Sequence, residues 1–212
     1  MCAAKIKICG LTREEDIEAV NRILPDYIGF VFFRKSHRYL TAEQAVALKK
    51  KLDPRIRAVG VFVDEEKEVV SNLLNHGIID IAQLHGNEDE EYISSLREMT
   101  DKPLIRAFQI RSEDPSVIGE ILKKAQESSA DLVLIDSGAG SGKVFDWSIL
   151  KDFPRDYFLA GGLDAENVEE AVRRTGAWAV DVSSNVETDK RKDAKKMQAF
   201  VDAVRGAGER EE

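Results

Sequence analysis

Short apolar runs recur along this chain, each followed by a polar or glycine-bearing turn and then by a stretch with helical spacing. Lys5 to Cys9 (KIKIC) alternates polar and apolar residues and breaks at Gly10, and Thr12 is placed to cap a helix to about Ile23. Tyr27 to Phe33 (YIGFVFF) reads as a second strand, with a helix from Ala42 to Leu52. Ile56 to Val63 is a third, and Asp64 is placed to cap a helix to about His76. Asp80 to Leu84 ends in HGNE and precedes a helix from about Glu90 to Met99; Pro103 to Phe108 is followed by a helix from about Pro115 to Glu127. The sixth run opens at Asp131, fills with Leu132 to Ile135 and ends on Asp136, with a short helix near Trp147 to Lys151. Tyr157 to Ala160 ends in GGLD before a helix from about Ala165 to Arg174, and Trp178 to Val182 ends in SSNVE before a last helix from about Asp193 to Val204.

Eight strands alternating with eight helices, joined by short loops, predict the α/β class and a single (β/α)8 TIM barrel over residues 1–205. A doubly wound open sheet competes, but fewer strands would suffice for it. The tail 206–212, short, charged and glycine-bearing, reads as disordered. A chain of 212 residues has room for one such core and little more.

Charge and cysteine content narrow the chemistry. The net charge is -8, from 39 acidic and 31 basic residues without a basic stripe, which argues against nucleic acid. A bound anion would have to be drawn by local groups against the overall field. No apolar run approaches the roughly 18–20 residues of a membrane span, and the amino terminus enters a strand pattern without a signal sequence. A soluble, cytoplasmic protein is expected, either monomer or homodimer. Cys2 and Cys9 lie too far apart along an extended segment to bridge. With His37, His76 and His85 they form no zinc spacing, so no metal is expected.

The glycine-rich loop after Asp136 fits neither nucleotide motif. Counted back from Gly142 and Lys143, a P-loop would need glycine at Ser137 and a hydroxyl at Val144, and Gly138, Gly140 and Gly142 are spaced G-x-G-x-G. Following a carboxylate at a strand end, the segment reads as a mobile active-site loop, with a plain turn as the alternative. Lys143 and Cys2 receive no role.

If every loop after a strand opens on one face, Cys9, Arg38, His85, Asp136, Gly161, Gly162, Asp181, Ser183 and Ser184 gather at one mouth. GGL after the seventh strand and SSN after the eighth stand where barrels bind phosphate, through backbone N–H groups, with hydroxyl donors added by Ser183 and Ser184. Cys9 is either an inert buried thiol or a base whose surroundings lower its pKa. Asp136 is either a cap or the acid that complements such a base. Arg38 is suited to clamp a carboxylate or stack on a ring, while His85 is a ligand contact or a structural residue.

These residues sit within KICGLT (Lys7 to Thr12), GFVFFRKSHRYL (Gly29 to Leu40), QLHGNE (Gln83 to Glu88), GSGKVFDW (Gly140 to Trp147), LAGGL (Leu159 to Leu163) and DVSSNVE (Asp181 to Glu187). In that order the set resembles the phosphoribosylanthranilate isomerase family of tryptophan biosynthesis. The resemblance implies a cofactor-free and metal-free Amadori rearrangement of N-(5-phosphoribosyl)anthranilate. It also implies Asp136 as general acid, Cys9 as general base, Arg38 on the anthranilate group, Asp181 on a ribose hydroxyl and the GGL and SSN loops on the phosphate. The chain departs from the family at Asn185, usually glycine, and at Arg34, often proline. Competing readings are a related phosphosugar isomerase or lyase barrel, which would use two carboxylates or a lysine, and a non-catalytic phosphometabolite-binding barrel.

Overall fold

The eight apolar runs become eight parallel strands whose hydrogen bonds close on themselves in chain order. A computed structural model describes residues 4–137 and 146–209. The strands are β1 (Lys5–Cys9), β2 (Tyr27–Val31), β3 (Arg57–Phe62), β4 (Ile81–Leu84), β5 (Leu104–Gln109), β6 (Leu132–Asp136), β7 (Tyr157–Ala160) and β8 (Ala179–Val182). Around them lie α1 (Glu14–Ile23), α2 (Ala42–Lys49), α3 (Lys67–Asn75), α4 (Glu90–Arg97), α5 (Pro115–Glu127), α6 (Val168–Thr175) and α7 (Ala194–Glu209). After β6 the described residues hold only a 3-10 turn, Trp147–Leu150, in place of a full helix. After β8 come a 3-10 turn, Ser184–Val186, and a hairpin of β9 (Glu187–Thr188) and β10 (Arg191–Lys192).

Alternation along each strand sorts the core into shells, because successive side chains point to opposite faces. Ile6, Ile8, Ile28, Phe30, Ala82, Leu84, Val133, Ile135, Val180 and Val182 join the helices in one outer cluster. The alternate positions, among them Val59, Ile81, Ile105, Leu134, Phe158 and Ala179, fill the barrel. Above them Cys9, Val31 and Val61 form a separate small layer. Phe158 stands edge-on to both Tyr27 and Trp178, with centroids 5.5 and 5.4 Å away, which closes the amino-terminal end of the barrel. The opposite end, where β1, β6 and β8 finish, stays open to ligands.

Several expected boundaries move for local reasons. Thr12 does not cap α1: the cap position is Arg13, and Asp16 reaches back to accept from the backbone N–H of Thr12 at 2.9 Å and of Arg13 at 3.0 Å. Asp64 does not cap α3 either. Its φ is 52°, its carboxylate accepts from Asn87 N at 2.6 Å, and α3 starts behind Glu66. α6 begins at Val168 and not near Ala165, because Asp164 takes the Glu166 and Asn167 amides at 2.9 and 3.0 Å in a turn of its own. α7 continues to Glu209, past Gly206 where composition predicts a disordered tail, and Arg205 tethers it through Leu24 O at 2.7 Å. Residues 210–212 lie outside the described residues. No described helix is long and apolar enough to cross a membrane.

Candidate active site

Cys9 is the last residue of β1 and lies inside the mouth, 8% exposed. Its sulfur has room only because its neighbour on β2 is Gly29, on which a Cβ would lie 2.6 Å from Sγ. Two residues earlier on the same face is Lys7, fully buried, with Nζ 2.8 Å from Oδ2 of Asp181 on β8. Burial alone would favour the neutral amine, but the Asp181 charge and the Cys9 sulfur outweigh it and hold the ammonium above the ordinary lysine range. For Cys9 the balance falls the other way. Burial pushes the thiol up, Lys7 and Lys192 pull it down, Asp181 opposes them, and the result lies above the ordinary range. The lowered pKa required of a thiolate at this position is therefore not found, and the sulfur rests as a thiol.

Asp136 closes β6 on the same mouth. Oδ2 stands 3.5 Å from His85 Nε2, and His85 Nδ1 is 2.7 Å from Gln83 Nε2. With the Gln83 amide donating to Nδ1, the ring proton sits on Nε2 and faces the carboxylate. Gly161, at φ 97°, presses against this group: a Cβ there would meet Asp136 Oδ1 and Ser137 N, both at 2.8 Å. Gly161 is thus needed for the placing of Asp136 as much as for any anion cradle. Gly162 follows at φ 68°.

Arg38 reaches the mouth from the loop after β2, where Nε and Nη2 donate to the two oxygens of Glu187 at 2.6 and 2.8 Å. Glu187 also receives Lys192 Nζ at 2.6 Å, and Lys192 donates in turn to Ser183 O at 2.9 Å. Two of the five guanidinium donors of Arg38 are committed, which fixes its plane and leaves the rest for a ligand. Ser183 differs from expectation: its hydroxyl donates to Cys9 O at 3.1 Å and braces β1, so only its backbone N–H remains to offer an anion. Ser184 is exposed at the rim and opens the short 3-10 turn. Asn185 has no left-handed backbone, and its Nδ2 donates to Leu163 O at 3.0 Å, which ties the two glycine- and serine-bearing loops together. Arg34 is exposed and lies over the Tyr39 ring.

All nine sequence-derived candidates thus fall on one mouth: Cys9, Arg38, His85, Asp136, Gly161, Gly162, Asp181, Ser183 and Ser184 line the same cavity. Gly138, Gly140, Gly142, Lys143 and Cys2 lie outside the described residues. Sequence reading missed Lys7, Gln83, Glu187 and Lys192. The first had a signal, the polar positions of KIKIC, and Gln83 and Glu187 stood inside quoted motifs; Lys192 had none. Among the described residues no group of three or more His, Cys, Asp or Glu side chains could hold a metal ion.

A sequence model of the N-(5'phosphoribosyl)anthranilate (PRA) isomerase family matches residues 6–203. The chain is 44% identical over 203 residues to the N-(5'-phosphoribosyl)anthranilate isomerase of Clostridium kluyveri, covering 95% of this chain and 98% of that protein. It superposes on the crystal structure of phosphoribosyl anthranilate isomerase from Thermotoga maritima with a TM-score of 0.84 and 35% identity, over 96% and 99% of the two chains. A phosphoribosyl anthranilate isomerase in complex with reduced 1-(o-carboxyphenylamino)-1-deoxyribulose 5-phosphate superposes with a TM-score of 0.82 at 33% identity, over 96% and 99%.

Proposed function

The chain belongs to the N-(5'-phosphoribosyl)anthranilate isomerase family and is an isomerase of tryptophan biosynthesis, and from that premise we propose which of its groups perform the reaction. Protonated Asp136 gives its proton to the furanose ring oxygen of N-(5-phosphoribosyl)anthranilate, and the C1–O bond breaks to leave a Schiff base. Cys9, a thiol at rest, acts from its deprotonated form and removes the C2 proton as thiolate. The electron pair moves into the C1–C2 bond, and the resulting enolamine tautomerises to the 1-deoxyribulose ketone. The His85 N–H aimed at Asp136 stabilises the carboxylate that forms in the first step.

The remaining groups hold the substrate. Among the described residues Asp181 Oδ1, a buried atom, has no hydrogen-bond partner while Oδ2 serves Lys7, so it accepts a ribose hydroxyl. Arg38, already fixed by Glu187, presents its uncommitted donors to the anthranilate carboxylate. Gly161 and Gly162, with the backbone N–H groups of Ser183 and Ser184, take the phosphate, locally overcoming a net charge of -8. The setting is the cytoplasm, where this biosynthetic substrate is made.

The observation that carries this reading is that a thiol and a carboxylate ending two non-adjacent strands, β1 and β6, line one cavity. Each supplies one proton transfer, so Cys9→Ala and Asp136→Ala should each lower kcat by about 10²–10⁴-fold with unchanged circular dichroism. Near-normal turnover in both variants would refute the assignment.

A further inference from the structure

The mechanism above leaves unused a fully buried lysine. Lys7 sits in the barrel interior beneath Cys9, one side chain deeper on the same strand face, with 0% exposure. Burying an ammonium without function is costly, and replacing such a pair by apolar residues is usually neutral or stabilising. Yet Lys7 touches a residue of the ligand cavity and shares a strand face with the reacting sulfur: Nζ bonds Asp181 at 2.8 Å, and its charge acts on Cys9 two positions further along β1. We propose that Lys7 is a positioning residue whose ammonium, anchored by Asp181, stabilises the Cys9 thiolate and so makes the sulfur a competent base. This rests on the isomerase reading and adds to it a third member of the proton-transfer machinery.

The arrangement has a direction. The charged groups around Cys9 are Lys7 on its own strand, Asp181 on β8 and Lys192 on β10, with Asp136 and His85 facing Asp181 from β6 and the end of β4. Lys192 shares Glu187 with Arg38 and acts on the sulfur beside Lys7, but less than Lys7 does. Lys7 is paired with Asp181, and that carboxylate, part of the cavity lining, keeps one oxygen without a hydrogen-bond partner among the described residues. A hydroxyl donated to this oxygen draws Asp181 charge away from Lys7 and leaves more of the ammonium field for the sulfur. Substrate binding and activation of the base are coupled through one carboxylate. Lys7 remains charged throughout and has no neutral amine to offer as a Schiff-base nucleophile, so it does not lend itself to lyase chemistry.

The test reads the thiol itself. Carbamidomethylation of Cys9 by iodoacetamide, followed by mass spectrometry of its peptide against pH, reports the apparent pKa of the sulfur in the free protein. Lys7→Met should raise that midpoint by about one pH unit or more, since a neighbouring opposite charge shifts a pKa by roughly 1–3 units. Lys7→Arg should restore part of the shift. A merely structural lysine would scale the rate equally at every pH, and a scaled or superimposable profile overturns the inference. Should Lys7→Met fail to fold, Asp181→Asn, which keeps the ammonium, set against the uncharged Asp181→Asn/Lys7→Met gives the same comparison. Turnover is measured alongside. A shifted alkylation profile with unaffected turnover would uphold the Lys7–Cys9 coupling and remove Cys9 as the base, so the two ideas fail separately.

Discussion

Replacing Gly29 by alanine tests whether the sulfur of Cys9 must sit where it does. Gly29 pairs with Cys9 across β1 and β2, and a Cβ on it would lie 2.6 Å from Sγ, 3.0 Å from Cα and 3.2 Å from Cβ of Cys9. Nonbonded heavy atoms settle at about 3.5–4.0 Å, so the sulfur must withdraw by about 1 Å or change rotamer. Gly29 has no left-handed φ, and alanine therefore adds no backbone strain. Overpacking of this kind costs about 1–3 kcal/mol, which a domain holding the usual 5–15 kcal/mol or so survives. Catalysis is the more sensitive quantity. Misplacing a reacting group by about 1 Å costs on the order of 100-fold, equivalent to about 2.7 kcal/mol in the barrier. Turnover followed by the fluorescence of the anthranilate group should show kcat falling by that factor while KM changes little, because Arg38 and the phosphate loops are untouched. Urea unfolding checks that the variant is folded. A folded Gly29→Ala protein with wild-type kcat would show that the sulfur has no required position, and the base assignment would lose its geometric support.

Two further perturbations separate the site from its frame. Burial would raise the Glu187 carboxyl, but hydrogen bonds and charges from Arg38 and Lys192 hold it at about 2, below the ordinary 4.5. Its folded pKa is depressed, so its stabilisation is present above the unfolded pKa and is lost as pH falls toward about 2; the urea midpoint of wild type should exceed that of Glu187→Gln near neutrality and converge with it in acid, whereas a gap constant with pH would contradict the pairing. At the other end of the barrel Arg155 donates to the carbonyls of Ala125, Gln126, Ser128 and Ala130 at 3.1, 3.3, 2.8 and 2.7 Å. Arg155→Ala should cost on the order of 2–3 kcal/mol in urea unfolding with kcat unchanged; an unaltered midpoint would mean that water serves those carbonyls equally well.

The repeating units were legible because each strand of a closed parallel barrel is buried on both faces and reads as an apolar run between turn residues. The caps were less legible, for a physical reason. A backbone N–H donates to whichever carboxylate reaches it, so Asp16, inside α1, takes the Thr12 and Arg13 amides and the cap position falls on Arg13. Asp64 is drawn off by Asn87, 23 positions away in the chain. The site shows the same division. Strand-end residues could be named from order alone, whereas Glu187 acquires its place from a two-residue hairpin strand and from Arg38, 149 positions away. Nothing local in sequence marks either.

Lys7 belongs to neither class, and the reason lies in closure. Side chains two apart on a strand point the same way, so beneath each strand-end candidate lies a second-layer residue: Lys7 under Cys9, Gln83 under His85, Leu134 under Asp136 and Ala179 under Asp181. Parity alone singles out the two polar ones. KIKIC supplies two inward lysines, however, and they meet different fates: Lys5, at the amino-terminal end, is half exposed and pairs with Asp26, whereas Lys7 is sealed against Asp181. What separates them is the register of β1 with β8, in which Lys7 stands opposite Asp181 and Lys5 opposite Ala179. The first and last strands become neighbours only when the barrel closes. A lysine that alternation marks as inward gains its carboxylate through a contact spanning 174 positions of chain, so the ammonium we propose for activating Cys9 is a property of the closed barrel rather than of any segment of it.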